Sequence, residues 1–334
     1  VNGETEIAGH GLRGNAGVRY ADTEVIINNY YSIGNGQFAP REIEGGYDNW
    51  LPSMSLAFDI TPDLVLRASV GKTITRAALS NIASGTLVPN IFNRDITVGN
   101  PNLEPQVSTQ FDGGLEWYFA EGGLLSGGIF KKKLEGTATA VIDQVTLGST
   151  GLPDSAFNAL ALGYPDGDIP DDFLLDRTTF INQGTIDLSG IELAYQQTFN
   201  FLPAPFDGLG TILSYTKIDT EGNPLVTTEG RVISVGVVPE TSYSLTGYYE
   251  KGPFAVRASY NYRGESGNFG NTTNTGNDQL PQQSELGYLD ASISYRLSDA
   301  LEFRLDALNI TNENTFLFYE DPDYGFAING LTKG

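Results

Sequence analysis

The sequence predicts an all-β protein, an antiparallel up-and-down transmembrane β-barrel to which this chain contributes about twelve strands. Three observations predict it: apolar and polar residues alternate with a period of two, short and long connections alternate along the chain, and aromatic residues cluster beside the short connections. The composition agrees, since 40 Gly, 17 Tyr and 18 Phe among 334 residues favour strands and turns. A transmembrane helix is excluded, because the chain contains no run of about 18 apolar residues.

The period of two is clearest in FAVRASYNYR (Phe254–Arg263), where Phe, Val, Ala and two Tyr occupy every second position. Successive side chains of a strand point to opposite faces, so this pattern predicts a strand with one apolar and one polar face. The pattern recurs in LRGNAGVRY (Leu12–Tyr20), FDGGLEWYF (Phe111–Phe119), LDASISYRLS (Leu289–Ser298) and LEFRLDA (Leu301–Ala307).

The connections sort by length. Short turns are predicted at 60–63, 120–123, 202–208, 251–252 and 298–300, and long polar connections at about 74–108, 136–180, 217–240, 263–286 and 310–330. In an up-and-down sheet every second connection lies at the same end. One end of the sheet therefore has short turns and the other has long loops, as in outer-membrane barrels. A soluble β-sandwich also alternates apolar and polar residues and is the alternative, but Greek-key crossings give no reason for this sorting.

Aromatic residues lie beside the short turns. Trp117 and Phe119 precede the turn at 120–123, and Tyr249 and Phe254 flank the turn at 251–252. Such residues at strand ends predict an aromatic girdle at a membrane interface. Strand propensity alone explains aromatics within strands but not their position next to these turns.

The polar faces of the predicted strands carry charges of both signs. Because the inside of such a barrel is wet, we predict that these side chains face the lumen and pair across strands. They are Arg67, Asp112, Glu116, Glu192, Arg257, Asp290, Arg296, Arg304 and Asp306.

Composition and motifs argue against several functions. A net charge of −22 disfavours nucleic acid as a partner, and the absence of cysteine excludes disulfides and thiolate metal sites. The single histidine, His10, has no catalytic motif around it, so a Ser–His–Asp triad is not indicated. No phosphate-binding GxxxxGK[ST] loop occurs, and no carboxylate pair stands in a recognisable glycosidase setting. We predict neither enzymatic activity nor a cofactor.

The stretch YPDGDIPDD, residues 164–172, makes one long connection acidic. Carboxylate oxygens are calcium ligands, so calcium is an open alternative here. The spacing differs from that of an EF-hand loop, however, and Pro165 and Pro170 favour a solvated turn. We therefore predict no metal site.

The stretch GNPNLEP (Gly99–Pro105) interrupts the alternation between two strands. Pro101 and Pro105 disfavour a helical conformation in the residues before them and remove two backbone donors. The motif therefore predicts a rigid, extended re-entry into the sheet, with a structural rather than a catalytic role.

This motif and the strands around it resemble a known family. The segments LRASVGKTITRAAL (Leu66–Leu79), VGNPNLEPQVSTQFDGGLEWYFAEGGLLSGGIFKK (Val98–Lys132) and YLDASISYRLSDALEFRLDALNITNE (Tyr288–Glu313) resemble the barrel of TonB-dependent receptors, transporters of the bacterial outer membrane. The resemblance implies a 22-stranded barrel with an N-terminal plug domain and the protein TonB as partner. On this basis residues 1–334 are the C-terminal part of the barrel domain, and we expect the plug, the TonB-contacting segment and the last strand to lie outside this chain. The first strand, near Leu12–Val25, and the segment Gly325–Gly334 should then pair with protein outside these residues.

The resemblance implies TonB-dependent import of a small molecule across the outer membrane of a Gram-negative bacterium. The long loops are acidic overall, which disfavours anionic ferric siderophores, and they offer stacking faces and polar groups that suit a neutral sugar. These candidate ligand-binding residues are Tyr164, Asp166, Asp168, Phe269, Asn271, Asn274, Tyr319 and Tyr324. We therefore predict import of an oligosaccharide, with a siderophore or another metal chelate as the alternative. A passive porin, an autotransporter-type translocator and a secreted adhesin are further alternatives.

Overall fold

A computed structural model describes residues 1–34, 36–83, 94–222, 225–226, 232–233, 238–267, 281–320 and 327–331. The strands are β1 (Asn2–Ile7), β2 (His10–Gly34), β3 (Gln37–Thr61), β4 (Leu64–Thr75), β5 (Asp95–Thr97), β6 (Gln106–Ala120), β7 (Gly123–Thr146), β8 (Leu174–Thr198), β9 (Leu209–Gly222), β10 (Leu225–Val226), β11 (Val232–Ile233), β12 (Thr241–Lys251), β13 (Phe254–Arg263), β14 (Ser266–Gly267), β15 (Pro281–Gln283), β16 (Leu286–Ser298), β17 (Leu301–Ala307), β18 (Phe316–Glu320) and β19 (Ala327–Leu331). Two short α-helices, α1 (Leu79–Ile82) and α2 (Leu147–Thr150), and two 3-10 turns, Asp154–Ala156 and Phe206–Gly208, lie in the connections. Neither helix in the described part of the chain has the length and hydropathy of a membrane-spanning helix.

Twelve strands form one continuous antiparallel wall. Their order is β1-β2-β3-β4-β6-β7-β8-β9-β12-β13-β16-β17, and β5 adds a short parallel pairing with β8. Each strand of the wall pairs with the strands that come before and after it in the wall, which confirms the predicted up-and-down antiparallel barrel topology. Within the described residues the wall is open, because β1 and β17 each have one neighbour.

Both predictions about the ends of the wall need correction for part of their residues. The chain supplies its own strand before Leu12, since Asn2–Ile7 pairs with His10–Asn15. The sequence reading missed β1 because Asn2–Ile7 carries three polar or charged residues in a row and lacks an apolar face. At the other end, Ala327–Leu331 pairs with β18 of the same chain, so this part of the segment Gly325–Gly334 has an internal partner.

The two ends of the wall differ as predicted. Short connections join β3–β4, β6–β7, β8–β9, β12–β13 and β16–β17, and β1–β2 adds a sixth. At the opposite end, part of what the sequence predicts as long loops is strand. β7 runs to Thr146 and β8 starts at Leu174, so both ends of the predicted connection 136–180 are paired strand, joined by residues 147–173. β2 and β3 form a similar hairpin of 25 residues a strand, closed near Gly34 and Gln37.

One face of the wall carries an exposed apolar band. Cross-strand register places its members side by side from β6 to β17: Leu115, Leu125, Ile129, Ile191, Leu193, Leu213, Leu245, Ile293, Phe303 and Leu305. All are exposed, and Ile129 reaches 67 %. In a water-soluble sandwich these side chains would be covered by a second sheet, whereas an exposed continuous band fits contact with lipid.

Most of the buried apolar residues lie above the wall instead of behind it. The arm formed by residues 137–183 of β7, β8 and their connection ends in a cap, residues 147–173. The cap encloses a cluster of Ile96, Leu147, Leu152, Ala156, Phe157, Ile169, Phe173 and Leu175. A second cluster, Ile27, Ile82 and Leu103, lies against the β2–β3 hairpin. The long-loop end is therefore a folded structure with cores of its own.

Candidate functional site: the polar face and the structures above it

All nine charged residues predicted to face the lumen lie on one face of the wall, opposite the apolar band. Asp112 is paired with Ser69 and Phe130, Gly128 with Glu192, and Ser259 with Asp290, so the register carries one polar face across the strands. This face is concave. A depression of about 820 Å³ in it is lined by Arg13, Arg67, Asp112 and Glu192, among others.

The charges on this face are largely neutralised by neighbours. Arg67 Nε donates to Glu116 Oε1 at 2.8 Å, and Tyr118 Oη donates to Glu116 Oε2 at 2.9 Å. Arg304 Nε donates to Asp306 Oδ1 at 3.0 Å. Further ion pairs join Arg13 to Asp59 at 2.6 Å, Arg257 to Glu250 at 3.7 Å and Arg296 to Glu302 at 3.4 Å. Such half-exposed pairs contribute about 0–1 kcal/mol each, so they mainly fix side-chain positions and leave little net charge.

The remaining carboxylates accept hydrogen bonds or stand at the depression. Asp112 accepts from Ser69 Oγ at 3.1 Å, and Asp290 accepts from the backbone N–H of Asn309 at 2.7 Å. Glu192 lines the depression. The concave face can therefore contact a polar surface or solute through many weak hydrogen bonds.

Hydroxyl and amide groups add to this polar face. The alternation places Asn15 and Ser259 on it, whereas Ser55, Ser214, Ser244 and Thr246 were not predicted from the sequence. Asn15 of β2 lies opposite Ser55 of β3, and its Nδ2 donates to Ser55 Oγ at 2.8 Å. The hydroxyls of Ser214 and Ser244 lie 2.8 Å apart, and those of Thr246 and Ser259 lie 2.9 Å apart. In the sequence, these residues can be recognised only because they occupy polar positions of the alternating pattern. Charged residues at the same positions are easier to recognise.

The GNPNLEP motif has the structural role that the sequence predicts, but it is not extended throughout, because the Leu103 N–H donates to the Asn100 carbonyl at 3.2 Å and closes a turn. It also connects two hairpins. Asn100 Nδ2 donates to the Phe180 carbonyl of β8 at 2.8 Å, and its Oδ1 accepts from the backbone N–H of Asn102 at 3.0 Å. Leu103 is 1 % exposed and packs in the cluster against β2. A Cβ at Gly45 of β3 would lie 2.3 Å from the Pro101 carbonyl oxygen, so glycine is required there for the motif to approach.

The predicted ligand-binding residues are only partly brought together. Tyr164 lies in the cap, where its half-buried ring packs edge-on against Phe173 at 5.7 Å between ring centres. Asp166 and Asp168 are exposed in the same cap. Across the described ranges, no three acidic or histidine side chains converge as a metal site would require. Tyr319 lies in β18, opposite Pro281, and Phe269, Asn271, Asn274 and Tyr324 lie outside the described residues.

One ion pair in the arm has a clear electrostatic effect. Arg177 Nε donates to Asp143 Oδ1 at 2.9 Å, and Nη2 donates to the second carboxylate oxygen. The hydrogen bond from the guanidinium lowers the pKa of the Asp143 carboxyl below its ordinary value, against the opposing effect of partial burial. The pair is bidentate, which gives it a well-defined geometry.

The concave polar face, the outward apolar band and the sorted connections are the features of an outer-membrane barrel wall. A family model described as TonB dependent receptor-like, beta-barrel matches residues 2–312. The chain belongs to this family. TonB-dependent receptors are outer-membrane β-barrels of Gram-negative bacteria that act as receptors and transporters.

Solved structures with the same fold are TonB-dependent receptors too. The ferric citrate transporter FecA is 13 % identical, with a TM-score of 0.57 over 98 % of this chain and 42 % of that chain. The ferric-catecholate import receptor Fiu from E. coli K12 is 14 % identical, with a TM-score of 0.56 over 97 % of this chain and 41 % of that chain. A variant of the ferric enterobactin receptor PfeA from Pseudomonas aeruginosa is 14 % identical, with a TM-score of 0.54 over 91 % of this chain and 40 % of that chain.

At these identities the likeness shows the fold alone. The chain spans about two fifths of the length of these receptors. Among curated protein sequences, none matches the chain significantly.

Proposed function

We propose that this chain is the C-terminal part of the barrel of a TonB-dependent receptor that imports a small molecule across the outer membrane. The observation that carries the proposal is the two-faced wall in a member of this family, with its continuous exposed apolar band opposite a continuous polar face. In this proposal the apolar band contacts lipid, and the concave face with Arg67, Asp112, Glu116 and Glu192 lines the lumen. The plug and the TonB-contacting segment belong to parts of the receptor outside residues 1–334.

The proposed ligand is a ferric chelate. Three receptors with the same fold are described as carrying ferric citrate, ferric catecholates or ferric enterobactin, which supports the alternative in the sequence reading over its first choice. The oligosaccharide hypothesis depends on free stacking faces, and Tyr164 uses its ring inside the cap. An oligosaccharide stays a prediction that the same experiment tests.

The test uses the full-length receptor. Binding of ferric citrate, a ferric catecholate and a neutral oligosaccharide is measured by calorimetry on the purified protein. Uptake of the ligand that binds is then measured in cells with and without TonB. We expect saturable binding of a ferric chelate, and uptake that is lost without TonB while binding at the cell surface persists.

Other outcomes separate the alternatives. Uptake that is linear in concentration and independent of TonB would replace the transporter by a passive pore. Binding of the oligosaccharide and of neither chelate would retain the transporter and change its ligand.

A further inference from the structure

In the part of the chain that the structure describes, four lysines lie on the outward face of the wall, at the end with the long connections. They are Lys72 of β4, Lys131 and Lys133 of β7, and Lys217 of β9. Lys131 and Lys133 follow Ile129 of the apolar band at every second position of β7, so the alternation of a strand places all three on one face. Lys132, between the two lysines of β7, lies on the concave face instead.

These lysines stand at the upper margin of the apolar band. Lys131 and Lys133 are roughly 26 and 33 Å along β7 from the turn residue Gly123. With a strand tilt of about 40°, their heights are roughly 20 and 25 Å, in a barrel whose apolar band is about 25 Å tall. Lys72 lies at the same level, because Thr109 of β6 is opposite both Lys72 and Lys133. The amino groups are therefore at the height of lipid headgroups.

Three of the lysines form one patch, which we call the outer lysine patch: Lys72, Lys131 and Lys133. The patch spans β4, β6 and β7 and has apolar side chains at its lower edge. Phe111 of β6 is 55 % exposed and lies opposite both Val70 and Lys131. The patch therefore continues the apolar band upward without a break, from exposed apolar side chains to amino groups.

Neighbouring carboxylates neutralise only part of this positive charge. Lys133 Nζ lies 2.7 Å from Glu135 Oε1, and Asp187 of β8 is opposite Lys133. The fourth lysine, Lys217, is followed on the outward face of β9 by Asp219 and Glu221, so it is not counted in the patch. Among the described residues, neither Lys72 nor Lys131 forms an ion pair. In a chain with a net charge of −22, these two lysines carry the uncompensated positive charge of the outward face.

The position and charge of the patch indicate the chemistry of its ligand. A lysine at the boundary between lipid and water packs its four-carbon stem along apolar surface and extends its amino group to the headgroups. Basic side chains at this level attract anionic lipids. The long loops of outer-membrane barrels are extracellular, so the leaflet that reaches the patch is the outer one. The ligand that fits has an anionic headgroup and an apolar tail.

We propose that Lys72 and Lys131 bind the phosphate of a lipid in the outer leaflet, whose acyl chains lie along Phe111 and the apolar band. The proposal rests on the proposed function, because it requires the wall to span the outer membrane. A free phosphate ion would contact the same amino groups and leave the apolar surface below them unused. Contacts of exposed lysines alone are weak, so the continuity with the apolar band favours the lipid.

The test measures lipid binding to the full-length receptor, purified in a neutral detergent. The protein is titrated with diphosphoryl lipid A, and native mass spectrometry gives the fraction of receptor with bound lipid. The titration is repeated with phosphatidylcholine, whose headgroup has no net charge, and with diphosphoryl lipid A in an excess of inorganic phosphate. The variants are Lys72→Gln, Lys131→Gln and the double variant. Lys132→Gln is the matched control, because it removes the same charge from the concave face of the same strand.

We expect each single substitution to raise the Kd for diphosphoryl lipid A about fivefold, and the double variant to raise it about 30-fold. Lys132→Gln should leave the Kd within about twofold of the parent, and binding of phosphatidylcholine should be the same in all variants. A double variant that binds diphosphoryl lipid A as tightly as the parent would overturn the proposal. An equal loss in Lys132→Gln, or an equal loss for phosphatidylcholine, would overturn it too.

Two further readouts complete the test. Displacement of diphosphoryl lipid A by inorganic phosphate would replace the lipid by a free phosphate as the ligand. Folding of each variant is checked by its heat-modifiable band on gels, and the single substitutions decide the test if the double variant does not fold. Uptake measured on the same variants separates the two proposals. TonB-dependent uptake with unchanged lipid binding would refute the outer lysine patch alone, whereas linear, TonB-independent uptake would refute the proposed function.

Discussion

Replacing Ile129 by arginine tests whether the exposed apolar band lies in lipid. Ile129 is 67 % exposed and lies between Gly113 and Ile191 on the outward face of β7. It is roughly 20 Å along the strand from the short turn at Gly123. With a strand tilt of about 40°, this places it near the middle of an apolar band about 25 Å tall.

The expected cost follows from this depth. An arginine at the bilayer midplane of a barrel costs about 2–4 kcal/mol, and near an interface about 0–1 kcal/mol. Ile129→Arg should thus lower the folding equilibrium constant roughly 30- to 700-fold. Leu125→Arg, on the same face but beside the turn, should cost much less. Ser126→Arg, on the concave face, should be close to neutral because this face is polar and wet in the proposed barrel.

The assay is folding of the full-length receptor into lipid vesicles across a urea series, followed by the heat-modifiable gel shift. Surface abundance in cells gives a second measure. The order expected is Ile129→Arg far below Leu125→Arg, with Ser126→Arg near the parent. If Ile129→Arg and Ser126→Arg fold equally well, the outward face does not contact lipid and the facing argument fails.

Three further predictions concern the structures above the wall. Leu103→Ala should destabilise the attachment of the GNPNLEP motif by about 2–5 kcal/mol, because it removes a fully buried side chain. Amide hydrogen exchange at residues 94–105 should then become faster. Unchanged exchange would contradict the packing. Gly45→Ala should cost about 1–3 kcal/mol in the same measurement, whereas Gly17→Ala, with open space around its Cβ, should be tolerated; equal effects would remove the argument from close approach. Arg177 lowers the pKa of Asp143, so the pair stabilises the arm above the ordinary carboxyl pKa of about 3.9 and loses this contribution as the pH falls through the lower folded value. Asp143→Asn should abolish that acid sensitivity at a cost below about 1 kcal/mol at pH 7. The measurement is the urea midpoint of the fluorescence change of a label on the cap, at pH 7 and at pH 3. A midpoint that is still acid-sensitive in the variant would assign the effect to another group.

The parts of the fold that local pattern fixes were predictable. Phe254 to Arg263 alternates without a break, so the strand, its faces and its partners follow from the sequence once the turn at 251–252 is recognised. The same reasoning placed Arg257 and Asp290 on one face, and the structure confirms it. A period of two carries this information because a slip of one residue would reverse every side chain.

The hairpin arms were not predictable in this way. Leu147, Phe173 and Ile96 lie in segments without a regular period, and they form a cluster only because two connections, β4–β6 and β7–β8, fold onto each other. The sequence therefore reads as a long polar loop where the structure has a capped hairpin. The aromatic ring of Tyr164 illustrates the same limit, since its packing partner is set by the tertiary fold.

The contact between Asn182 and Glu104 was also beyond local reasoning. The motif around Glu104 is visible as a break in the alternation, and its two prolines indicate irregular backbone, although not the turn that the Leu103 N–H closes with the Asn100 carbonyl. Its partner Asn182 lies in another hairpin, and nothing in the residues next to Asn182 points back to Glu104. Contacts of this kind depend on chain topology, which a single sequence expresses only through its overall pattern.

The length of the β2–β3 hairpin determines which electric field an approaching ligand experiences. Tyr20 and Trp50, whose rings lie 4.9 Å apart, stand near the upper margin of the apolar band, and β2 continues to Gly34, roughly 45 Å farther along the strand. In the proposed orientation, with the hairpin continuing at the tilt of the wall, its tip would stand roughly 30 Å above the bilayer surface. Electrostatic potentials decay over a Debye length of about 8 Å at physiological ionic strength. The potential of the lipid headgroups has therefore vanished at that height, and a ligand arriving there responds to the charges of the hairpins themselves.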